Sequence, residues 1–365
     1  MPIVAHNDLP ALQRLREAGT TIVLPQERAA HQDIRELHIG LLNMMPDAAL
    51  EATERQFFRL IGESNPIAQF YVHPFTLDAI PRGDKAAAHI ARYYEPFGKI
   101  RAEGLDALII TGANVSGEDL SKEPFWGPLG EVIDWAWDNV TTTLLSCLAT
   151  HAVLHFRYNQ PRARQSHKRW GVFSHRVMDK QHPLVGDVNT RFDVPHSRWN
   201  DVSRAQFEAA GLRVLVESEE VGVHLATSHD GLRMVFFQGH PEYDTISLLK
   251  EYKRDALLAA RGRLPDFPPF PDNYLRPHEQ AILLEWREHL VEAVAADQPP
   301  PDFPEALVAA NLDNTWHDTA EAVIGNWMGC MYQVTHRDRR KPFMDGVNQD
   351  DPFGIYASLG VKARQ

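Results

Sequence analysis

The chain has only two cysteines, Cys147 and Cys330, among its 365 residues. A small secreted fold cross-linked by several disulfides is therefore excluded. Positive charge is also scarce, because 37 Lys and Arg stand against 49 Asp and Glu, a formal net charge of −12. This excess repels phosphate backbones and anionic lipid, so the composition predicts no nucleic-acid partner and no membrane-surface partner. A local basic pocket for an anionic small molecule remains compatible with it.

The sequence also lacks targeting and cofactor signatures. No segment reaches the ~20 consecutive apolar residues that a membrane span needs, and no basic segment followed by an apolar one opens the chain. We therefore expect a cytoplasmic protein without a membrane partner. Neither a Gly-x-Gly-x-x-Gly fingerprint nor a phosphate-binding loop occurs, so no bound nucleotide cofactor of those kinds is predicted.

What the sequence does contain is material for a buried core. Hydrophobic residues make up 44% of the chain, and short apolar segments alternate with segments of helical spacing. The predicted strands and helices of this part lie, in chain order, near residues 37–45, 51–61, 68–72, 105–112, 125–139 and 140–146. Because strands that alternate with helices form parallel sheets, the predicted fold class is α/β, with a mostly parallel sheet flanked by helices, as in flavodoxin-like folds. Antiparallel strands are expected to extend the sheet at residues 212–218, 221–228 and 234–237.

Proline-rich segments divide the rest of the chain. Residues 265–271 form a stiff linker, and a second proline-rich break separates helices predicted at 279–296 and 305–335. We predict a core domain of residues 1–262, followed by a linker and C-terminal helical extension of residues 263–365.

Cys147 occupies the junction between a predicted strand and a predicted helix. Residues 142–145 are β-branched or apolar and run into small residues that start a helix, so the thiol is predicted on a tight turn at the carboxyl edge of the sheet. The positive end of the helix dipole favours the thiolate form there, and neighbouring backbone N–H groups can hold an oxyanion. A small buried residue at a strand end is the alternative that this segment alone leaves open.

A second segment supplies partners for that thiol. His240, Pro241 and Glu242 follow the predicted strand at 234–237, and side chains two apart in extended backbone project to the same side. Glu242 can then orient the imidazole of His240 as a base toward Cys147. We predict a catalytic triad of Cys147, His240 and Glu242.

Two other features receive simpler interpretations. His151 and His155 lie at helical i,i+4 spacing, but the glutamate of the metalloprotease pattern is missing after His151, so no metal site is predicted. Cys330 lies on a predicted helix among Met and Trp residues and is interpreted as a packing residue.

Two known families share the Cys–His–Glu constellation. Class I glutamine amidotransferases normally carry glycine two residues to either side of the cysteine, where this chain has Leu145 and Ala149. The chain more closely resembles the homoserine O-acyltransferase family of the succinyltransferase type. The segments that carry the resemblance are ERAAHQDIR at 27–35, LNMMP at 42–46, ITGA at 110–113, GVF at 171–173, VPHSR at 194–198, GHPEYD at 239–244, EYKRD at 251–255 and NWMGCMYQ at 326–333. The match covers about residues 1–275 and 315–335.

The resemblance implies a glutamine amidotransferase-like fold and a ping-pong acyl transfer from an acyl-CoA to L-homoserine, in methionine biosynthesis. Cys147 would hold the acyl group as a thioester, and His240, steadied by Glu242, would move the protons. Succinyl-CoA would be a co-substrate, and no cofactor is expected. The family also suggests a homodimer.

Three further positions match substrate-contacting residues of that family. Arg254 matches the residue that binds the amino-acid carboxylate, a task that suits a bidentate guanidinium. Lys168 and Ser197 match other substrate-contacting positions. Taken by itself, Arg254 is a surface charge on an amphipathic helix, Lys168 a solvated loop charge and Ser197 a turn residue.

Ser116 stands where the family's acyl choice is decided. In the family, a glutamate at this place accompanies acetyl transfer and a glycine accompanies succinyl transfer, because a carboxylate repels the distal carboxylate of a succinyl group. Ser116 is small and uncharged, so we expect succinyl transfer. Homoserine O-acetyl transfer from acetyl-CoA is the alternative.

The chain departs from the family pattern in two places. Leu148 and Ala149 replace the usual Trp-Gly after the nucleophile, and Asp47 with two alanines replaces lysines that usually follow Pro46. Two readings from other classes therefore stay open: a glutamine amidotransferase or peptidase with the same triad, and a binding protein that keeps a degenerate triad.

Overall fold

The apolar segments predicted as strands form the centre of one sheet. The structure, a computed structural model, describes residues 3–18, 22–32, 34–65, 67–115 and 117–355. Within these ranges the sheet has 11 strands. The strands are β1 (Ile3–Ala5), β2 (Val23–Pro25), β3 (Glu36–Leu42), β4 (Gln69–Phe75), β5 (Ala107–Ile110), β6 (Thr142–Ser146), β7 (Ala163–Val177), β8 (Arg191–Asp201), β9 (Arg213–Ser218), β10 (Gly222–Thr227) and β11 (Met234–Phe237).

Helices cover the sheet and extend beyond its far end. They are α1 (Pro10–Glu17), α2 (Gln26–Ala29), α3 (Asp47–Ser64), α4 (Asp84–Tyr93), α5 (Phe97–Glu103), α6 (Trp126–Asn139), α7 (Leu148–Tyr158), α8 (Arg204–Ala209), α9 (Ser247–Ala260), α10 (Pro277–Ala295), α11 (Glu305–Ala309) and α12 (His317–Val334). None of the helices in the described ranges combines the length and the apolar character that crossing a bilayer requires.

The strand order is β2-β1-β4-β3-β5-β6-β11-β10-β9-β7-β8. Neighbouring strands from β2 to β11 in this order pair in parallel, and the four that follow pair antiparallel. The predicted fold class is therefore confirmed: a mostly parallel sheet flanked by helices, with an antiparallel addition at one side.

Strands β5 and β6 are buried along their whole length because helices cover both of their faces. On β5, Ile109 packs into the layer that contains α1, α3 and α12, whereas Leu108 and Ile110 pack into the opposite layer with α6 and α7. β6 divides in the same way, since Leu144 and Leu145 belong to opposite layers. The carboxyl end of β6, where Cys147 follows, is thus held from both sides.

The sequence patterns did not predict two pairs of strands, β1 with β2 and β7 with β8. β1 and β2 precede the first strand predicted from the sequence, and both are only three residues long. β7 and β8 are long but carry polar side chains over much of their length, so they lack a continuous apolar run. The two strands pair with each other in an antiparallel arrangement, which their amino-acid composition does not indicate.

The C-terminal part packs in two different places. α10 joins α9 in a cluster of its own, with Leu283 and Trp286 buried against Tyr252. By contrast, α12 lies within the main core, where Trp327 is buried and its indole N–H donates to the hydroxyl of Thr142 on β6 at 2.8 Å. The division of the chain at residue 262 stays a prediction, but the structure makes α12 part of the packing of residues 1–262.

Candidate active site

The backbone at Cys147 turns sharply between β6 and α7. Its φ of 50° and ψ of −103° are unusual for a residue with a side chain. The N–H of Cys147 donates to the carbonyl of Phe237 at 2.8 Å, which ties the turn to β11. The first N–H groups of α7 have no partner within that helix, so they, rather than the N–H of Cys147, are the donors available for an oxyanion. The thiol itself is half-buried.

The sheet register explains why the His–Glu segment meets this turn. β11 lies beside β6 in parallel, and Ser146 pairs with Phe237, so both strands end at the same level. His240 follows three residues later, and its N–H donates to the carbonyl of Pro195 at 2.8 Å. Gly239 makes this approach possible, because a Cβ there would lie 2.8 Å from the ring of His196 and 2.6 Å from Val194.

Glu242 orients the imidazole of His240. The Nδ1–H of His240 donates to Oε1 of Glu242 at 2.8 Å, and the hydroxyl of Ser146 donates to the same oxygen at 3.3 Å. The other ring nitrogen, Nε2, is buried and has no hydrogen-bonding oxygen or nitrogen partner within the described residues. That nitrogen is therefore left for Cys147 and for the reacting groups.

The charges at this site favour a protonated imidazole at His240. Burial acts to lower the pKa of His240, but the negative charges of Cys147 and Glu242 outweigh it and raise the pKa to about 10. The structure thus brings together the three predicted residues in a geometry suited to nucleophilic catalysis. Their catalytic roles stay predictions.

A half-buried carboxylate, that of Glu251 on α9, accepts hydrogen bonds from the next group of side chains. Its Oε2 accepts hydrogen bonds from Nζ of Lys168 at 3.0 Å and from the hydroxyl of Ser197 at 2.6 Å. Its Oε1 accepts one from the hydroxyl of Tyr243 at 2.7 Å. Burial acts to raise the pKa of Glu251, but the ammonium of Lys168 and these hydrogen bonds outweigh it and lower the pKa. Glu251 is therefore a carboxylate held among three donors.

Tyr243 connects Glu251 to His240. Its ring stacks on the imidazole of His240, with the ring centroids 4.3 Å apart and the planes 20° from parallel. Because the hydroxyl of the same tyrosine reaches Glu251, the Lys168–Ser197–Glu251 group and the triad belong to one site. Neither Tyr243 nor Glu251 was among the residues predicted from the sequence.

Lys168 and Ser197 lie on strands, not on the loop and turn that their local sequences suggested. Lys168 belongs to β7 and Ser197 to β8. Arg254 lies on α9, three residues after Glu251 and hence on the same side of the helix. Its side chain is largely exposed, and its Nε donates to Asp255 at 2.7 Å. Ser116 lies outside the described residues, so its predicted role stays a prediction.

Two groups of side chains in the described ranges could hold a metal ion, and neither includes a triad residue. In the first, His6, His73 and Glu95 place possible ligand atoms within 4.8 Å of one another, but His73 and Glu95 already hydrogen-bond at 2.7 Å. The second comprises Glu63, His317 and Glu321. His151 is buried, and its Nε2 pairs with Gln238 at 2.8 Å. The expectation that the reaction uses no metal stays a prediction.

The fold and the site together define a class of protein. A mostly parallel sheet that carries a cysteine at a strand-to-helix turn, with a His–Glu pair at the end of the neighbouring strand, is the layout of glutamine amidotransferase-like enzymes.

Comparison with known proteins narrows this class to one family. The family model described as homoserine O-succinyltransferase matches residues 2–337. A homoserine O-succinyltransferase from Thiobacillus denitrificans is 70% identical over 357 residues, covering 97% of this chain and 100% of the relative. A homoserine O-succinyltransferase from Allochromatium vinosum is 68% identical over 355 residues, covering 97% of this chain and 99% of the relative. Among solved structures, a glutamine amidotransferase from Methylobacillus flagellatus is 12% identical, with a TM-score of 0.43 over 81% of this chain and 95% of that one. The chain belongs to the homoserine O-succinyltransferase family.

Proposed function

We propose that this chain transfers the succinyl group of succinyl-CoA to the hydroxyl of L-homoserine, a step of methionine biosynthesis. Membership in the homoserine O-succinyltransferase family supports this reaction. The observation in the structure that carries it is the continuity of the site, from Cys147 through His240 and Tyr243 to the half-buried carboxylate of Glu251. An acyl-transfer centre thus adjoins a pocket of charged groups suited to an amino acid.

The first half of the reaction acylates Cys147. Its thiolate attacks the thioester carbon of succinyl-CoA, and the N–H groups at the start of α7 stabilise the oxyanion. The bond to the CoA sulfur then breaks, and the leaving thiolate takes the proton from Nε2 of His240. The products are free CoA, a succinyl thioester on Cys147 and a neutral imidazole.

The second half transfers the succinyl group to homoserine. The neutral imidazole of His240 takes the proton of the homoserine hydroxyl, and the resulting alkoxide attacks the thioester on Cys147. Cys147 leaves as a thiolate, which restores the ion pair with the protonated imidazole. Glu242 keeps the ring oriented through both halves, because its hydrogen bond to Nδ1 selects the orientation in which Nε2 faces the reaction.

Charge complementarity indicates how homoserine would bind. Glu251 already accepts a hydrogen bond from one ammonium group, that of Lys168, so its carboxylate suits the ammonium of homoserine. The carboxylate of homoserine needs cations, and Arg254 and Lys168 are the cations beside Glu251. The exposed guanidinium of Arg254 can turn toward a bound carboxylate, since its hydrogen bond among the described residues is to the neighbouring Asp255.

The names of the relatives support succinyl-CoA as the acyl donor. Relatives that are 70% and 68% identical to this chain are named homoserine O-succinyltransferases, which supports succinyl transfer over the acetyl alternative. The predicted contribution of Ser116 is to leave room for the distal carboxylate of the succinyl group.

We also propose that the enzyme needs no resident cofactor and acts in the cytoplasm as a homodimer.

Intact-protein mass spectrometry tests the proposed reaction. Incubation with succinyl-CoA alone should add one succinyl group to the wild type and release CoA, and homoserine should then remove the adduct. Cys147→Ala should give no adduct. Cys330→Ala is the matched control and should be acylated normally, because Cys330 is buried in the core and burial raises its pKa to about 12.

The outcomes separate the alternatives. Acylation by acetyl-CoA in preference to succinyl-CoA would replace succinyl transfer by acetyl transfer. Ammonia release from glutamine, without acylation by either CoA ester, would indicate an amidotransferase-type hydrolase. The absence of both reactions would indicate a binding protein.

A further inference from the structure

One part of this acidic chain is free of acidic residues. Residues 139–178 contain no Asp or Glu but hold six Lys or Arg, and Cys147 lies within them. Three of the arginines, Arg162, Arg164 and Arg169, lie at or just before the amino-terminal half of β7. Because the chain as a whole carries a net charge of −12, this local surplus of positive charge suits an anionic ligand.

A β-bulge in β7 shortens the distance between Arg164 and Arg169 along the strand. Arg164 pairs with Asn200 and Arg169 pairs with Arg198, with a shift of register between the two pairs. Five residues of extended strand would span about 17 Å, whereas their partners on β8 are only two residues, or about 7 Å, apart. The bulge therefore brings the backbone positions of Arg164 and Arg169 closer together than a regular strand would.

Carboxylates neutralise these arginines only weakly. The carboxylate of Glu118 lies 4.0 Å from Nε of Arg164, and its own side chain is 78% exposed, so such a pair adds little. Arg162 donates to the main-chain carbonyls of Gly117 and Glu118, at 3.0 and 3.3 Å, rather than to a carboxylate. The buried Nε of Arg169 has no hydrogen-bond partner within the described residues.

An exposed aromatic ring accompanies these charges. The side chain of Trp199 on β8 is 44% exposed, and the guanidinium of Arg164 lies over its ring, 4.9 Å from the centroid. A large exposed indole beside unneutralised arginines provides both a stacking surface and phosphate-binding groups. We call Arg162, Arg164, Arg169 and Trp199 the basic platform.

The basic platform adjoins the candidate active site. Trp199 is two residues from Ser197 on the same strand, a distance of about 7 Å along β8, and Ser197 contacts Glu251. At the other end, burial acts to lower the pKa of Arg162, while the negative charge of Cys147 acts to raise it, which places this guanidinium within electrostatic reach of the nucleophile.

We propose that the basic platform binds the nucleotide end of the acyl-CoA donor, with the adenine on Trp199 and the phosphates on Arg162, Arg164 and Arg169. CoA carries a diphosphate and a 3′-phosphate, so it requires several cations, and arginine binds phosphate oxygens in a bidentate manner. This inference rests on the proposed function, because it presupposes a CoA ester as donor. It adds the residues that recognise the part of the donor distant from the reacting carbon.

Steady-state kinetics with two donors test the proposal. Succinyl-CoA carries the nucleotide, whereas the succinyl thioester of N-acetylcysteamine has the same reacting group without it. Arg164→Gln and Trp199→Ala should each raise KM for succinyl-CoA about 5- to 10-fold or more. Their kcat/KM with the truncated donor should equal that of the wild type, which also shows that both variants are folded.

Two further variants sharpen the test. Trp199→Phe keeps an aromatic ring and should retain most of the affinity for succinyl-CoA. Arg176→Gln removes an exposed arginine at the opposite end of β7 and should leave both donors unaffected. Added KCl should raise KM for succinyl-CoA in the wild type and do so less steeply in Arg164→Gln, because one phosphate contact is lost.

The results separate this proposal from the proposed function. Unchanged KM for succinyl-CoA in both Arg164→Gln and Trp199→Ala, or equal losses with the two donors, would overturn the basic platform while acylation of Cys147 persists. If the wild type formed no acyl-enzyme with either donor, the proposed function itself would fail and the platform with it.

Discussion

Replacement of Glu251 by glutamine tests the proposed homoserine pocket. The carboxylate accepts hydrogen bonds from Lys168, Ser197 and Tyr243 at 3.0, 2.6 and 2.7 Å. A glutamine offers one acceptor oxygen and one NH2 group, so at least one of these donors would face another donor. The ammonium of Lys168 would also lose its closest negative partner.

The size of the effect follows from the burial of this ion pair. Removal of one partner of a buried pair costs about 3–5 kcal/mol. We take the lower value, about 3 kcal/mol, because Asp255 remains 3.9 Å from Nζ of Lys168. If this energy is expressed in the binding of homoserine, kcat/KM for homoserine should fall about 100-fold.

The assay measures the two half-reactions separately, as CoA release and as transfer of the succinyl group to homoserine. Rapid mixing of Glu251→Gln with succinyl-CoA should still release one equivalent of CoA as a burst, because Cys147, His240 and Glu242 are intact. The succinyl-enzyme should then react with homoserine about 100-fold more slowly than the wild type at subsaturating homoserine. Glu285→Gln, which alters an exposed glutamate on α10, should leave both steps unchanged.

Two results would refute this reasoning. An unchanged reaction of the succinyl-enzyme with homoserine would show that Glu251 does not hold the amino acid. A loss of the CoA burst in proportion to the loss of turnover would show that Glu251 supports the fold or the triad instead. Glu251→Asp keeps the charge and should fall between the wild type and Glu251→Gln.

Three further predictions concern the triad, the donor and the core. Cys147→Ala removes the negative charge that helps to raise the pKa of His240 to about 10. In an NMR titration, the imidazole of the variant should therefore lose its proton at lower pH than that of the wild type. Identical titrations would contradict the ion pair. Ser116→Glu should lower kcat/KM for succinyl-CoA and spare acetyl-CoA, and unaffected succinyl use would show that charge at this position does not select the donor. Trp327→Ala removes a buried indole and its hydrogen bond to Thr142, so urea unfolding should show a loss of about 3–5 kcal/mol. A loss near zero would mean that α12 is not part of the main core.

Local patterns in the sequence predicted much of the sheet and the residues of the candidate triad. Strands β5 and β6 are covered on both faces, so their short segments of apolar and β-branched residues are recognisable in the sequence. His240 and Glu242 are two residues apart, and their hydrogen bond needs only local backbone geometry. The turn at Cys147 likewise follows from its position between a strand and a helix.

The edge of the sheet was harder to predict from sequence. β7 and β8 carry polar and basic side chains that resemble a solvated loop, since exposed strands are not required to be apolar. Their pairing depends on residues that are distant along the chain. Lys168 and Ser197 were therefore identified only through the resemblance to a family, and their places on strands became visible only in the folded chain.

What the sequence alone determined is thus the part governed by short-range chemistry: the α/β class, the nucleophile turn and the adjacent His–Glu pair. Tertiary structure alone decided how distant segments meet. It brought Glu251 to Lys168 and Ser197, which lie 83 and 54 residues away along the chain, and it placed α12 in the main core against Thr142. The physical reason is that charge pairs and core contacts acquire most of their energy from burial, and burial depends on the whole fold rather than on neighbouring residues.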